Sequence, residues 1–184
     1  DAARDTLINI DARGAPVPSA RFMGGREHAL LSRRTNEGRD VDDEAALERV
    51  LDDGALLLPA IVGGSGPFPT RAPVWTVAEE ALDDAMHAVV VAHYLALMTA
   101  TCLELVGADG PIAVEGPFAA NRHYLRLLAA ATGRDVETGV AVTGTSVGPA
   151  DCPHGRVGGA GVLGRGGRRS GSTGDADRAR GLVR

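Results

Sequence analysis

The sequence predicts an α/β domain, and three observations predict it. Residues 110–148 run as strand, glycine turn, amphipathic helix and second strand without interruption; a long apolar helix precedes them; and a proline-containing hairpin opens the chain. With 184 residues and an apolar fraction of 44%, one packed core is the working unit.

In residues 6–22, Leu7, Ile8 and Ile10 predict a strand, Asp11 to Gly14 a turn, and the return with Pro16 and Pro18 an edge-like second strand. Gly24-Gly25, flanked by Arg26 and Glu27, reads as a strand-to-helix loop, with an anion-binding turn as the rival reading. From Asp40 the pattern is helical. Asp42 or Asp43 serves as N-cap, Glu44 lies in the first turn, Leu47, Val50 and Leu51 share one face, and Gly54 stops the helix. Carboxylates at such a start offset the helix dipole, so Asp42, Asp43 and Glu44 are read as structural rather than metal-binding. Leu56 to Val62 is a short apolar run closed by the Gly and Pro loop GGSGPFPTRAP, which serves either as a connector or as the border of a cleft.

Thr76-Val77-Ala78-Glu79 has the form of a capping box, and a long helix is expected to start there. Leu82, Met86, Val89, Val90, Leu97 and Leu103 mark its buried side, and from Ala85 to Val106 it is apolar nearly all round, as a central helix is. His87, His93 and Glu104 interrupt the run and no basic flank anchors it, which argues against a membrane span. His87 and His93, six residues apart, do not share a helical face and are expected to be a surface and a boundary histidine rather than metal ligands. No metal site is predicted.

In the 110–148 unit, Ile112 to Val114 form the strand, Glu115-Gly116-Pro117 the turn, and Tyr124, Leu125, Leu128 and Ala129 the apolar helix face, with Gly133 as the stop. Such a unit points backbone N–H groups and the positive helix end at the space above the strand. Gly116 lets a ligand approach the backbone closely, and Asn121 offers an amide donor and an acceptor for a purine edge. The alternative is structural: Gly116 a turn glycine, Asn121 a capping residue. One hydrogen bond contributes only about 1 kcal/mol net, so stacking and phosphate contacts would have to supply most of any nucleotide affinity.

VEGPFAAN, that is Val114, Glu115, Gly116, Pro117 and, four further on, Asn121, resembles the adenosine-binding motif of the FGGY carbohydrate kinases: apolar, Asp or Glu, Gly, Gly, three variable residues, Asn. The following TGRDVETGVAVTGTSVG is similar to the segment that trails this motif in the family. PVPSARFMGGRE and the GSGPF loop resemble segments of a bacterial subgroup, and the latter likeness favours the cleft-border reading. The resemblance spans residues 1–148. It implies the C-terminal, ATP-side domain of an actin-like (ribonuclease-H-like) fold. It further implies ATP and Mg2+ as cofactors, transfer of the γ-phosphoryl group to a sugar hydroxyl, and Gly116, Pro117 and Asn121 as nucleotide-binding positions. The sugar would be reached through an N-terminal domain ahead of Asp1, where the family carries its phosphate-binding Gly-Thr turn and its catalytic Asp. No catalytic residue is therefore assigned in this chain, and Asp83, Asp84 and Asp109 are not promoted to a general base. Pro117, in place of the second motif glycine, has no N–H and cannot take a positive φ, so this turn must hold a nucleotide differently. A noncatalytic nucleotide-binding or interaction module, or a nonfunctional gene fragment, are the alternatives.

A net charge of -5 and a pI near 5.5 argue against nucleic acid or an anionic membrane as partner. All 19 basic residues are Arg, a sign of GC-rich coding. Cys102 and Cys152 lack metal-ligand spacing and make a poor disulfide pair, which together with the missing signal-peptide pattern suggests the cytoplasm. After Gly148 the chain turns Gly- and Arg-rich. Residues 149–184 are expected to be disordered, and the abrupt change suggests a shifted reading frame.

Overall fold

The structure, a computed structural model, describes residues 1–32 and 43–138 and the backbone of residues 155–157. The hairpin forms as expected: β1 (Thr6–Ile10) pairs antiparallel with β2 (Pro16–Ala20), Thr6 opposite Ala20 and Ile10 opposite Pro16. Its turn is held by Asp11, whose carboxylate accepts the N–H groups of Arg13 and Ala15, both at 2.8 Å.

Gly24 and Gly25 are not a loop but the first residues of helix α1 (Gly24–Leu31). At Gly24 the requirement is space: a Cβ would lie 2.9 Å from Phe22 Cε1. Helix α2 (Glu44–Asp53) follows its sequence signals. Asp43 caps it, accepting from Ala46 N at 3.0 Å, and Gly54 ends it with φ 62°. The adjoining Asp42 lies outside the described residues.

The Leu56–Val62 run contributes a two-residue strand, β3 (Leu57–Leu58), paired antiparallel with β4 (Val74–Trp75). That pairing overturns the expected helix start. Thr76 Oγ1 accepts from Leu56 N at 2.7 Å and donates to the Gly54 carbonyl at 2.8 Å, so it closes the β3–β4 ribbon and caps no helix. Residues Glu79–Ala81 make only a 3₁₀ turn. The long helix α3 (Asp84–Leu105) starts five residues beyond Glu79, with Asp83 as N-cap accepting from Met86 N at 2.9 Å. The cross-strand bonds of Thr76 occupy the hydroxyl that the capping box would have used, and Asp83 caps the helix instead.

Helix α3 is the core. Val89, Val90, Ala96 and Leu95 are almost fully buried, and α3 packs along α4, α2, α1 and β3. By length and mean hydropathy it could cross a membrane, yet 56% of its apolar window is buried within the fold, as befits a core helix. The same enclosure corrects the two histidines: His87 and His93 are 1% and 6% exposed. Every residue from Val89 to Ala96 is buried, His93 among them, and His87 lies beside the buried Met86. His87 stacks on Trp75 with ring centroids 5.4 Å apart and bonds Glu79 Oε1 through Nε2 at 3.1 Å. His93 Nδ1 meets the Val89 carbonyl at 3.0 Å, and its ring lies 5.4 Å from that of His123.

Strand β5 (Ile112–Val114), helix α4 (Arg122–Thr132) and strand β6 (Val136–Thr138) form the expected unit, with β5 and β6 parallel and Ile112 opposite Val136. Tyr124, Leu125, Leu128 and Ala129 are buried, and Gly133 caps the helix at φ 67°. β7 (Gly155–Val157) adds antiparallel to β6, within the stretch expected to lack structure; the remainder of 149–184, Cys152 included, lies outside the described residues.

Candidate functional site

The turn that follows β5 stands at the carboxyl end of a parallel strand, the position where open α/β sheets present ligands. Gly116 enters it with φ 77° and ψ -160°, a conformation closed to L side chains, and nothing lies within 4 Å of where its Cβ would be. Pro117 then opens a 3₁₀ turn, Pro117–Ala120, at a position where a missing N–H costs no helical bond. Asn121 follows as the N-cap of α4. Its Oδ1 accepts from Tyr124 N at 2.9 Å, which commits the acceptor side of the amide to the helix and leaves the Nδ2 donor for other use. All three predicted site residues thus fall on one short turn, with open space beside Gly116.

Phe118 ties this turn to the rest of the fold. Its ring lies 5.2 Å from Tyr124 and 5.3 Å, edge-on, from His28 of α1. Tyr124 in turn donates its hydroxyl to Thr99 Oγ1 of α3 at 3.0 Å, and burial raises its pKa above the ordinary phenol value. Before β5, Arg134 reaches back to the carbonyls of Ala108, Asp109 and Gly110 at 3.2, 2.8 and 2.6 Å, fixing the loop that leads into the strand.

A second polar cluster underlies the Gly63–Gly66 loop, and sequence reasoning missed it. Glu27, 1% exposed, accepts the Tyr94 hydroxyl on Oε2 and the N–H of Val62 on Oε1 at 3.1 Å. The Tyr94 oxygen also accepts from Ile61 N at 3.3 Å. Burial, then the Glu27 hydrogen bond, pushes the Tyr94 pKa far above the phenol range. At the other end of the loop, Asp5 accepts from Ser65 Oγ at 3.1 Å and Gly66 N at 3.0 Å, while Arg21 forks onto it at 2.7 to 3.0 Å. The Arg21 bonds, and next the Gly66 N–H, lower the Asp5 pKa from 3.8 to about 2. Cys102 is buried, its thiol pushed up to about 11 by burial and then by Asp5 and Glu27. The loop is therefore clamped at both ends by acidic side chains from α1 and from the residue before β1. A glycine pair followed by Arg-Glu was the only local sign of Glu27; Asp5 had none.

Asp83, set aside as a general base, caps α3 and pairs with Arg49. Among the described residues no group of three or more His, Cys, Asp or Glu side chains is placed to hold a metal ion.

The family described as Carbohydrate kinase FGGY, C-terminal domain, matches residues 1–159. A carbohydrate kinase from Novosphingobium aromaticivorans is similar in structure, with a TM-score of 0.67 and 38% sequence identity over 76% of this chain. The chain spans 31% of that kinase's length. No curated protein matches it.

Proposed function

The chain belongs to the FGGY carbohydrate kinases through their C-terminal, actin-like domain, and from this we propose that it is the ATP-side half of an enzyme transferring the γ-phosphoryl group of ATP to a sugar hydroxyl. The observation that carries the nucleotide assignment is the Gly116–Asn121 turn at the end of β5. Its backbone is open beside Gly116, and its one uncommitted polar side-chain group is the Asn121 Nδ2 donor.

In this reading Gly116 lets the adenosine lie against the main chain. Pro117 stiffens the turn but offers no N–H, and Asn121 Nδ2 donates to a purine ring nitrogen. Mg2+ accompanies the nucleotide's phosphates and neutralises them. The sugar and the base that takes its proton belong to an N-terminal domain, so residues 1–184 bind nucleotide without turning it over. The work is done in the cytoplasm, with neither nucleic acid nor membrane as partner.

Calorimetric titration of the 184-residue chain with Mg-ATP tests this. Saturable binding without phosphate release, weakened by Asn121→Asp, supports the assignment. Mg-ATP binding that is absent, or indifferent to that substitution, removes it.

A further inference from the structure

Purines differ along one edge in the direction of a hydrogen bond. Adenine presents its N7 acceptor beside a 6-amino donor, whereas the 6-oxopurines present N7 beside a second acceptor, O6. An asparagine singles out adenine by pairing both ends of its amide with that edge, the oxygen accepting from the 6-amino group and the nitrogen donating to N7. Choice between the two kinds of base therefore needs an acceptor opposite position 6.

The Gly116–Asn121 turn uses its acceptors on itself. The carbonyls of Gly116, Phe118 and Asn121 accept the N–H groups of Ala119, Asn121 and Leu125, each at 3.1 Å. Asn121 Oδ1 accepts from Tyr124 N at 2.9 Å. Edge-on pairing of the whole amide needs Oδ1 and Nδ2 to face the base together, but Oδ1 faces the first turn of α4. That orientation is held from behind, because Tyr124 is buried and donates its hydroxyl to Thr99 of α3 at 3.0 Å. Swinging the amide round uncaps the helix, and flipping it sets Nδ2 against the Tyr124 N–H, donor against donor. On the open side, beside Gly116, the amide thus offers a donor alone. Pro117 adds no N–H there, and Glu115, ahead of the turn, is exposed.

We propose, building on the nucleotide assignment above, that Asn121 Nδ2 reads purine N7 and that position 6 goes unread, so that the site takes 6-oxopurine nucleoside triphosphates as well as ATP. The acceptor that would single out adenine is spent on capping α4. Ribose, phosphates and Mg2+ are common to both kinds of nucleotide, so the base contributes affinity without choice.

Calorimetric titration of the 184-residue chain with Mg-ATP, Mg-ITP and Mg-7-deaza-ATP tests it. ATP and ITP, which share N7 and differ at position 6, are expected to bind within about threefold of each other. The 7-deaza nucleotide lacks the acceptor and should bind about fivefold more weakly than ATP. Asn121→Asp should weaken ATP and ITP alike and leave the 7-deaza nucleotide unaffected. A preference on the order of tenfold or more for Mg-ATP over Mg-ITP overturns the proposal while the nucleotide site stands, and it directs the next substitution to Glu115 as the acceptor for the 6-amino group. Binding of 7-deaza-ATP as tight as that of ATP overturns it as well, since N7 is then not read. If none of the three binds, the nucleotide assignment falls and the proposal with it.

Discussion

Asn121 Oδ1 accepts the N–H of Tyr124, and Tyr124 passes its hydroxyl to Thr99 on the central helix, so the predicted nucleotide turn is anchored through a residue three positions on. Capping and ligand recognition use opposite ends of one amide. Asn121→Asp keeps the cap and should leave the melting temperature nearly unchanged, while Mg-ATP affinity falls roughly fivefold, about 1 kcal/mol, with the lost donor. Asn121→Ala removes both and additionally costs about 1 kcal/mol of stability. Urea denaturation beside calorimetry separates the two effects.

Gly116 occupies a backbone region that only glycine populates readily. Gly116→Ala should destabilise the chain by about 1–3 kcal/mol through strain, although space exists for the methyl group. A melting temperature equal to that of the parent would contradict this.

Asp5 gives the fold an acid dependence. Its pKa is lowered on folding from 3.8 to about 2, so its contribution is present above pH 4 and is lost as pH falls through about 2. Asn tolerates the left-handed conformation at position 5, which makes Asp5→Asn a test of charge rather than of backbone. The variant should be less stable than the parent by about 1.5–3 kcal/mol at pH 7, the worth of hydrogen bonds to a charged group. The gap should close between pH 4 and pH 2 in thermal melts.

Tyr94→Phe takes from Glu27 its hydroxyl donor and from Ile61 N its acceptor in a buried setting. A loss of about 2–4 kcal/mol is expected, larger than for an exposed tyrosine, because two polar groups are left unsatisfied. Chemical denaturation with an unchanged slope checks it.

Cys102 should not react with thiol reagents in the folded chain at pH 8. It is 8% exposed and its thiol titrates at about 11, so labelling should track unfolding and become fast in denaturant. Rapid native-state labelling at pH 8 would contradict its burial.

Much of the architecture was legible in the residues because local rules governed it. Asp43 and Gly54 bound α2, Gly133 ends α4, the apolar Leu7, Ile8 and Ile10 yield β1, and the β5–α4–β6 unit follows its apolar spacing. The candidate site was legible for the same reason, since Gly116, Pro117 and Asn121 lie within six residues of each other on one turn.

What only the tertiary structure decided is whatever joins residues far apart in the chain. Thr76 had a good capping sequence, but Leu56 and Gly54, about twenty residues earlier, claim its hydroxyl and move the helix start to Asp84. His87 and His93, expected at a surface and a boundary position, are enclosed by the elements around α3. The clasp of Asp5, Arg21 and Gly66 and the bond of Glu27 with Tyr94 link residues 16 to 67 positions apart. By itself the sequence determined the caps of α2 and α4, the apolar strand segments, the turn and the family, all of which depend on neighbours in the chain. The burial of charge and the choice between rival hydrogen-bond partners depend on which segments meet in space, and that was settled by packing around the central helix.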